Sequence, residues 1–183
     1  MNVAKRLVVV IITLIAGAMF WGCKGQNLVE EKNIDKDVST KKSESTNETI
    51  AKFLSTNYQV VYKTEEIPKN VQNILLKRFS EHELINPNLA NPNEEFNATD
   101  FIEDPNIPRR RLVFAGLSSD SWFVCYEHGG RGKHCHLVIF SVKESRVQLN
   151  FNGTFAYRPN NLGELKQLVL SGRVYGSNKN SEY

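Results

Sequence analysis

The chain lacks most of the signals that make a function readable at once. Its three cysteines form no CxxC spacing and its four histidines form no HExxH, so the common zinc spacings are missing. Net charge is only +3, too mild for a nucleic-acid binder, and no basic stripe interleaved with aromatics appears. The apolar run Leu7–Gly22 has 16 residues, short of the ~20 that carry a helix across a bilayer. No internal repeat is visible. Ser118, Ser119 and Ser121 lie beside Asp120 with no serine-hydrolase context and read as turn residues.

What is present begins at the N-terminus. Lys5 and Arg6 precede the apolar run LVVVIITLIAGAMFWG, Cys23 closes it, and the chain then turns abruptly polar. A basic start, a short apolar core and small residues near its end match a secretory signal. On Phe20, Trp21, Gly22 and Cys23 this segment resembles a bacterial lipoprotein precursor, over the first 23 residues only. The resemblance implies acylation of Cys23 as the first mature residue. The lipid bilayer is then the expected first partner, through acylated Cys23. Lys24 in place of aspartate looks like outer-membrane sorting, facing the periplasm. Each buried acyl CH₂ contributes ~0.8 kcal/mol, so several chains would hold the protein firmly.

The expected organisation is a signal at 1–22, a lipidated tether at 23–44 and one globular domain at 45–183. Lys24–Glu44 alternates charge and polarity with few bulky apolar residues, as a tether does, and as a coil it would span roughly 25 Å. Ser45, Thr46 or Asn47 can cap a helix carrying Ile50, Phe53 and Leu54 on one face. Tyr58–Lys63 suits a strand, and Pro68 opens a second helix with the stripe Val71, Ile74, Leu75 and Phe79. A long Pro/Asn-rich loop runs from Asn86 to Pro108. Its Asp100, Glu103 and Asp104 read as a solvated acidic run, and Arg109–Arg111 are expected to pair with Glu94, Glu95, Asp100 or Glu103.

RLVFAGL, SWFVCYE, HLVIFSVK and RVQLNFNGTFAY then read as four strands of a meander, and Asn161 starts a last helix with Glu164 in capping-box position and Gly172 as its stop. The class is α+β: an antiparallel sheet of four strands, with a candidate fifth, and two N-terminal helices and one C-terminal helix on one face. Asn47, Asn97 and Asn152 head formal glycosylation triplets, which an Asn-rich bacterial lipoprotein produces by chance.

The densest chemistry lies in YEHGGRGKHCH, Tyr126–His136. With Cys23 assigned to lipid, Cys125 and Cys135 are an even pair in an oxidising compartment and are expected to form a disulfide. Direct opposition leaves Gly129-Gly130-Arg131 as the turn and would stabilise by roughly 2.5–3 kcal/mol. Strand alternation puts Cys125, Glu127 and Cys135 on one face and His128, His134 and His136 on the other. The two sets cannot share an ion; a site of His128, His134 and His136 alone stays open, no metal or other cofactor is assigned, and the plain reading is that Tyr126 stacks between the imidazoles on a polar patch beside the turn. The candidate contact residues are His128, Arg131, His134 and His136, with the Pro/Asn loop. The leading expectation is a non-enzymatic envelope domain that binds another macromolecule, with a protein of the envelope as the candidate partner and no nucleic acid. The alternative is an envelope hydrolase or metal-binding protein that uses the His-rich hairpin.

Overall fold

Apolar spacing places the helices of this chain, and alternation places its strands. The computed structural model describes residues 34–82, 85–144 and 146–177. The signal, Cys23 and the tether up to residue 33 lie outside the described residues. Helix α1 (Ile34–Ser55) starts earlier than its candidate caps at 45–47. Residues 34–44 hold neither glycine nor proline, so nothing stops a helix formed at 45–55 from running back through them. Its C-terminal end is closed by Lys166, whose ammonium donates to the carbonyls of Leu54 and Thr56 at 2.8 Å each.

Pro68 stands just before helix α2 (Lys69–His82), and Val71, Leu75 and Phe79 of its stripe are buried. Helix α3 (Leu162–Leu170) begins at Asn161, whose side-chain oxygen accepts from the Glu164 amide at 3.0 Å. The Glu164 carboxylate reaches back to the amide of Asn160 at 2.8 Å. Gly172 ends the helix at φ +67, a conformation that costs glycine nothing.

The strands are β1 (Gln59–Val61), β2 (Leu89–Ala90), β3 (Arg110–Leu117), β4 (Ser121–His128), β5 (His134–Lys143), β6 (Arg146–Phe155) and β7 (Tyr175–Ser177). They pair in the order β1-β3-β4-β5-β6-β7, all antiparallel, and β2 lies parallel to β3. The expected meander is β3–β6, and β1 is the fifth strand. Strands β2 and β7 are too short to show a period in the sequence.

The α+β class holds, with one correction in its layering: the helices, expected on one face, are divided between two. Phe53 of α1 and Leu165 of α3 join Phe114, Phe123, Leu137, Ile139 and Phe151. Val71, Leu75 and Phe79 of α2 join Leu112, Ala115, Val124, Val138 and Phe140. The central strands are apolar at odd and even positions alike, and such strands need cover on both sides. A bulge between Leu112 and Phe114 turns Val113 and Phe114 toward the α1/α3 side together. That extra residue also sets the parity of the two arginines ahead of it.

Candidate functional site at the hairpin end

The β4–β5 hairpin forms, but in a different register from the one a directly opposed disulfide requires. Cys125 faces Leu137, Glu127 faces Cys135, Tyr126 faces His136 and His128 faces His134. Cys125 and Cys135 share a face as diagonal neighbours, typically about 7–8 Å apart at Cα, beyond the usual disulfide span. Both are buried free thiols. The cause lies in the glycines. A Cβ on Gly129 would fall 1.9 Å from the Asn97 carbonyl oxygen, so only glycine lets the loop backbone come this close. Gly129 donates to the Arg109 carbonyl at 3.0 Å and Gly130, at φ +148, to that of Ala98 at 3.4 Å. These residues pair with the covering loop, and the turn lengthens to Gly129–Lys133.

Asn97 organises that loop. It is 7% exposed, and its side-chain amide donates to the carbonyls of Asp104 and Ile107, both at 2.8 Å. Asn97 and Asn152 are buried, which removes both as glycan acceptors; Asn47 is exposed.

On the thiol face, Glu127 is the central charge. Arg111 donates to its Oε2 through Nε at 3.0 Å and Nη2 at 2.7 Å, and the Arg158 guanidinium lies 3.5 Å away. The expected pairing of Arg111 with acids of the preceding loop is therefore corrected. The bulge turns Arg111 to the face that carries Glu127, while Glu94 is taken up by the amide and side chain of Asn91. Burial, with smaller repulsion from Glu127, pushes the Cys135 thiol up to about 12. Burial, followed by the neighbouring Cys135, raises Cys125 too. Such thiols stay protonated, the opposite of what a nucleophile needs.

The other face gathers the imidazoles. Ring centroids of His128, His134 and His136 lie 4.9–5.5 Å from one another. One nitrogen from each ring belongs to a group whose members are all within 4.8 Å of one another. His136 stacks on Tyr126 at 4.9 Å with 3° between the planes, and Phe79 of α2 meets Tyr126 edge-on at 5.3 Å. Arg110, paired with His128 across the strands, lays its guanidinium 4.1 Å over the Phe79 ring. His134 Nδ1 shares a 2.9 Å hydrogen bond with the Gly132 carbonyl, so it is the N–H of that ring and Nε2 carries the lone pair.

His136 is 3% exposed, and neither of its ring nitrogens makes a well-formed hydrogen bond. Burial, then repulsion from His134 and His128, pushes its pKa down to about 3, against a smaller opposing pull from Asn152. The ring is neutral at ordinary pH.

Comparison with protein-family models, with curated proteins and with solved structures finds no match to this chain. Of the sequence-predicted contact residues, the structure brings His128, His134 and His136 together and leaves Arg131 exposed in the turn. Sequence reading placed Tyr126 among the imidazoles, where it stacks on His136, and missed Arg110 and Asn152 as surroundings of that ring. Neither of these two had a local signal. Asn152 is contributed by β6 and Arg110 by the far side of a bulge.

Proposed function

We propose that this chain is a lipid-anchored protein of a bacterial cell envelope, held at the outer membrane facing the periplasm. Its folded domain acts by binding at the hairpin end, not by covalent chemistry. The signal-like N-terminus and Cys23 support the anchor. The binding half is carried by one observation: His128, His134 and His136 converge at one strand end, next to the exposed turn that carries Arg131. Against catalysis by the cysteines stands the strand parity. Both thiols are buried on the opposite side of the sheet from His128, His134 and His136.

Labelling of the full-length chain with palmitate in a bacterial host tests the anchor. Label and membrane association should both be lost in Cys23→Ser; soluble, unlabelled wild-type protein would remove the anchor from the reading. Photo-crosslinking from position 131 in intact envelopes tests the binding. The captured species should disappear in His134→Ala. Crosslinks indifferent to that substitution would mean that the hairpin end is not the contact, and hydrolysis of envelope material lost in His134→Ala would favour an enzyme instead.

A further inference from the structure

The ligand class at the hairpin end follows from the donor set. We propose that His128, His134 and His136 form a binding site for a divalent late first-row transition-metal ion such as Zn²⁺ or Cu²⁺, an inference that rests on reading the hairpin end as the binding site. Three independent features carry it. The first is convergence: the three ligand nitrogens lie within 4.8 Å of one another. On a tetrahedral ion, two imidazole nitrogens each about 2.1 Å from the metal stand about 3.4 Å apart. Closing the site therefore asks the rings to approach by up to roughly 1.4 Å, shared between the three side chains.

The second feature is orientation. A metal-bound histidine usually donates its other ring N–H to a carbonyl or carboxylate, which fixes the tautomer. His134 makes that bond to Gly132, and its Nε2 is left as the ligand. His136 is held in one ring plane by the parallel stack on Tyr126. His128 and His134 face each other across the strands, and His136 follows two residues along on the same side.

The third is the condition of His136. A ring 3% exposed with no well-formed hydrogen bond at either nitrogen, and the Asn152 side chain as its polar neighbour, is poorly satisfied for a buried group. A metal bond to one of its nitrogens removes that deficit, whereas an aromatic packing role would be met better by an apolar side chain.

The chemistry of the donors selects the metal class. Three nitrogens with no carboxylate among them do not suit calcium or magnesium, which take oxygen ligands. Imidazole suits zinc, copper and nickel. The thiols and Glu127 stand across the sheet and cannot join the coordination sphere. Three ligands leave a tetrahedral ion one open position, available to an outside ligand.

The test uses the full-length chain in detergent, stripped of metal and titrated with Zn²⁺, Cu²⁺ or Co²⁺ alone. One ion per chain should bind, the thermal midpoint should rise with metal concentration, and bound Co²⁺ should show the visible absorption of a low-coordinate nitrogen site. His128→Ala and His134→Ala should each weaken binding by more than the roughly 10–100-fold that loss of an outer-shell partner costs. His134 is half-buried at the strand end, so its variant stays informative even where His136→Ala does not fold. Absence of saturable binding by any of the three ions, or equal binding by wild type and both variants, overturns the metal site. If the metal site fails while the crosslink from position 131 is still lost in His134→Ala, the binding reading survives without the ion. Loss of both removes both.

Discussion

The two faces of the sheet are built from the same strands and treat polar groups in opposite ways. On the α1/α3 side, aromatic edges close on one another: Phe123 meets Phe53 at 5.3 Å, Tyr58 at 4.9 Å and Phe114 at 6.0 Å. Its one strong charge, Glu127, is answered by Arg111 and Arg158. On the α2 side the packing is equally dry under the helix but becomes polar past Phe79, where three imidazoles crowd together and His136 keeps two nitrogens without a well-formed hydrogen bond. The first face answers its buried carboxylate with two guanidinium groups; on the second, the buried His136 ring lacks well-formed hydrogen bonds. A protein holds unsatisfied groups in its interior at a cost, and a ligand that fills them is the simplest physical reason to keep them.

The largest expected effect tests the packing of the first face. Phe123→Ala should destabilise the domain by about 3–5 kcal/mol in chemical unfolding, through lost transfer energy and the cavity left behind. A cost below about 1 kcal/mol would mean that the aromatic cluster is not the core of that face.

Next come the thiols. In the folded, reduced protein, Cys125 and Cys135 should react with iodoacetamide far more slowly than in denaturant. For Cys135, a pKa of about 12 against an ordinary 9.0 lowers the thiolate fraction by roughly three decades. Because the folded values lie above the unfolded ones, this contribution to stability is complete below pH 9 and is lost as pH rises toward 12. Equal alkylation rates in the folded and unfolded states would put the thiols at the surface and erase the contrast between the faces.

Glu127→Gln should cost about 2 kcal/mol, since it leaves the half-buried Arg111 without its charged acceptor. Unchanged stability would show that Arg158 and solvent already screen the pair.

The smallest effect has the opposite sign. His136→Leu should leave the metal-free protein unchanged or stabilise it by about 1 kcal/mol, because it removes buried nitrogens without hydrogen bonds and keeps the bulk. It should also abolish metal binding. A large loss of metal-free stability would make His136 a structural core residue and equalise the two faces.

Much of this organisation was legible in the residues. The stripes of α2 and α3, the Asn161 cap, the Gly172 stop and the four central strands follow from local periodicity and capping, which act over a turn or a pair of residues. The separation of cysteines from histidines was equally legible, since alternate residues of a strand point to opposite sides whatever it pairs with. The register of the hairpin was not. The even pair of cysteines suggested direct opposition, while the deciding contact is Gly129 against the backbone of Asn97, a residue far away in the chain.

The sequence by itself determined which residues of each element share a side, because side-chain direction is a property of the local backbone. Only the tertiary structure decided which sides meet. It assigned α2 to the opposite face from α1 and α3, turned Arg111 to Glu127 through a bulge, and moved the pairing by two residues so that His128 faces His134. Those outcomes depend on long-range burial and on backbone approach between distant segments, and no local pattern encodes either of them.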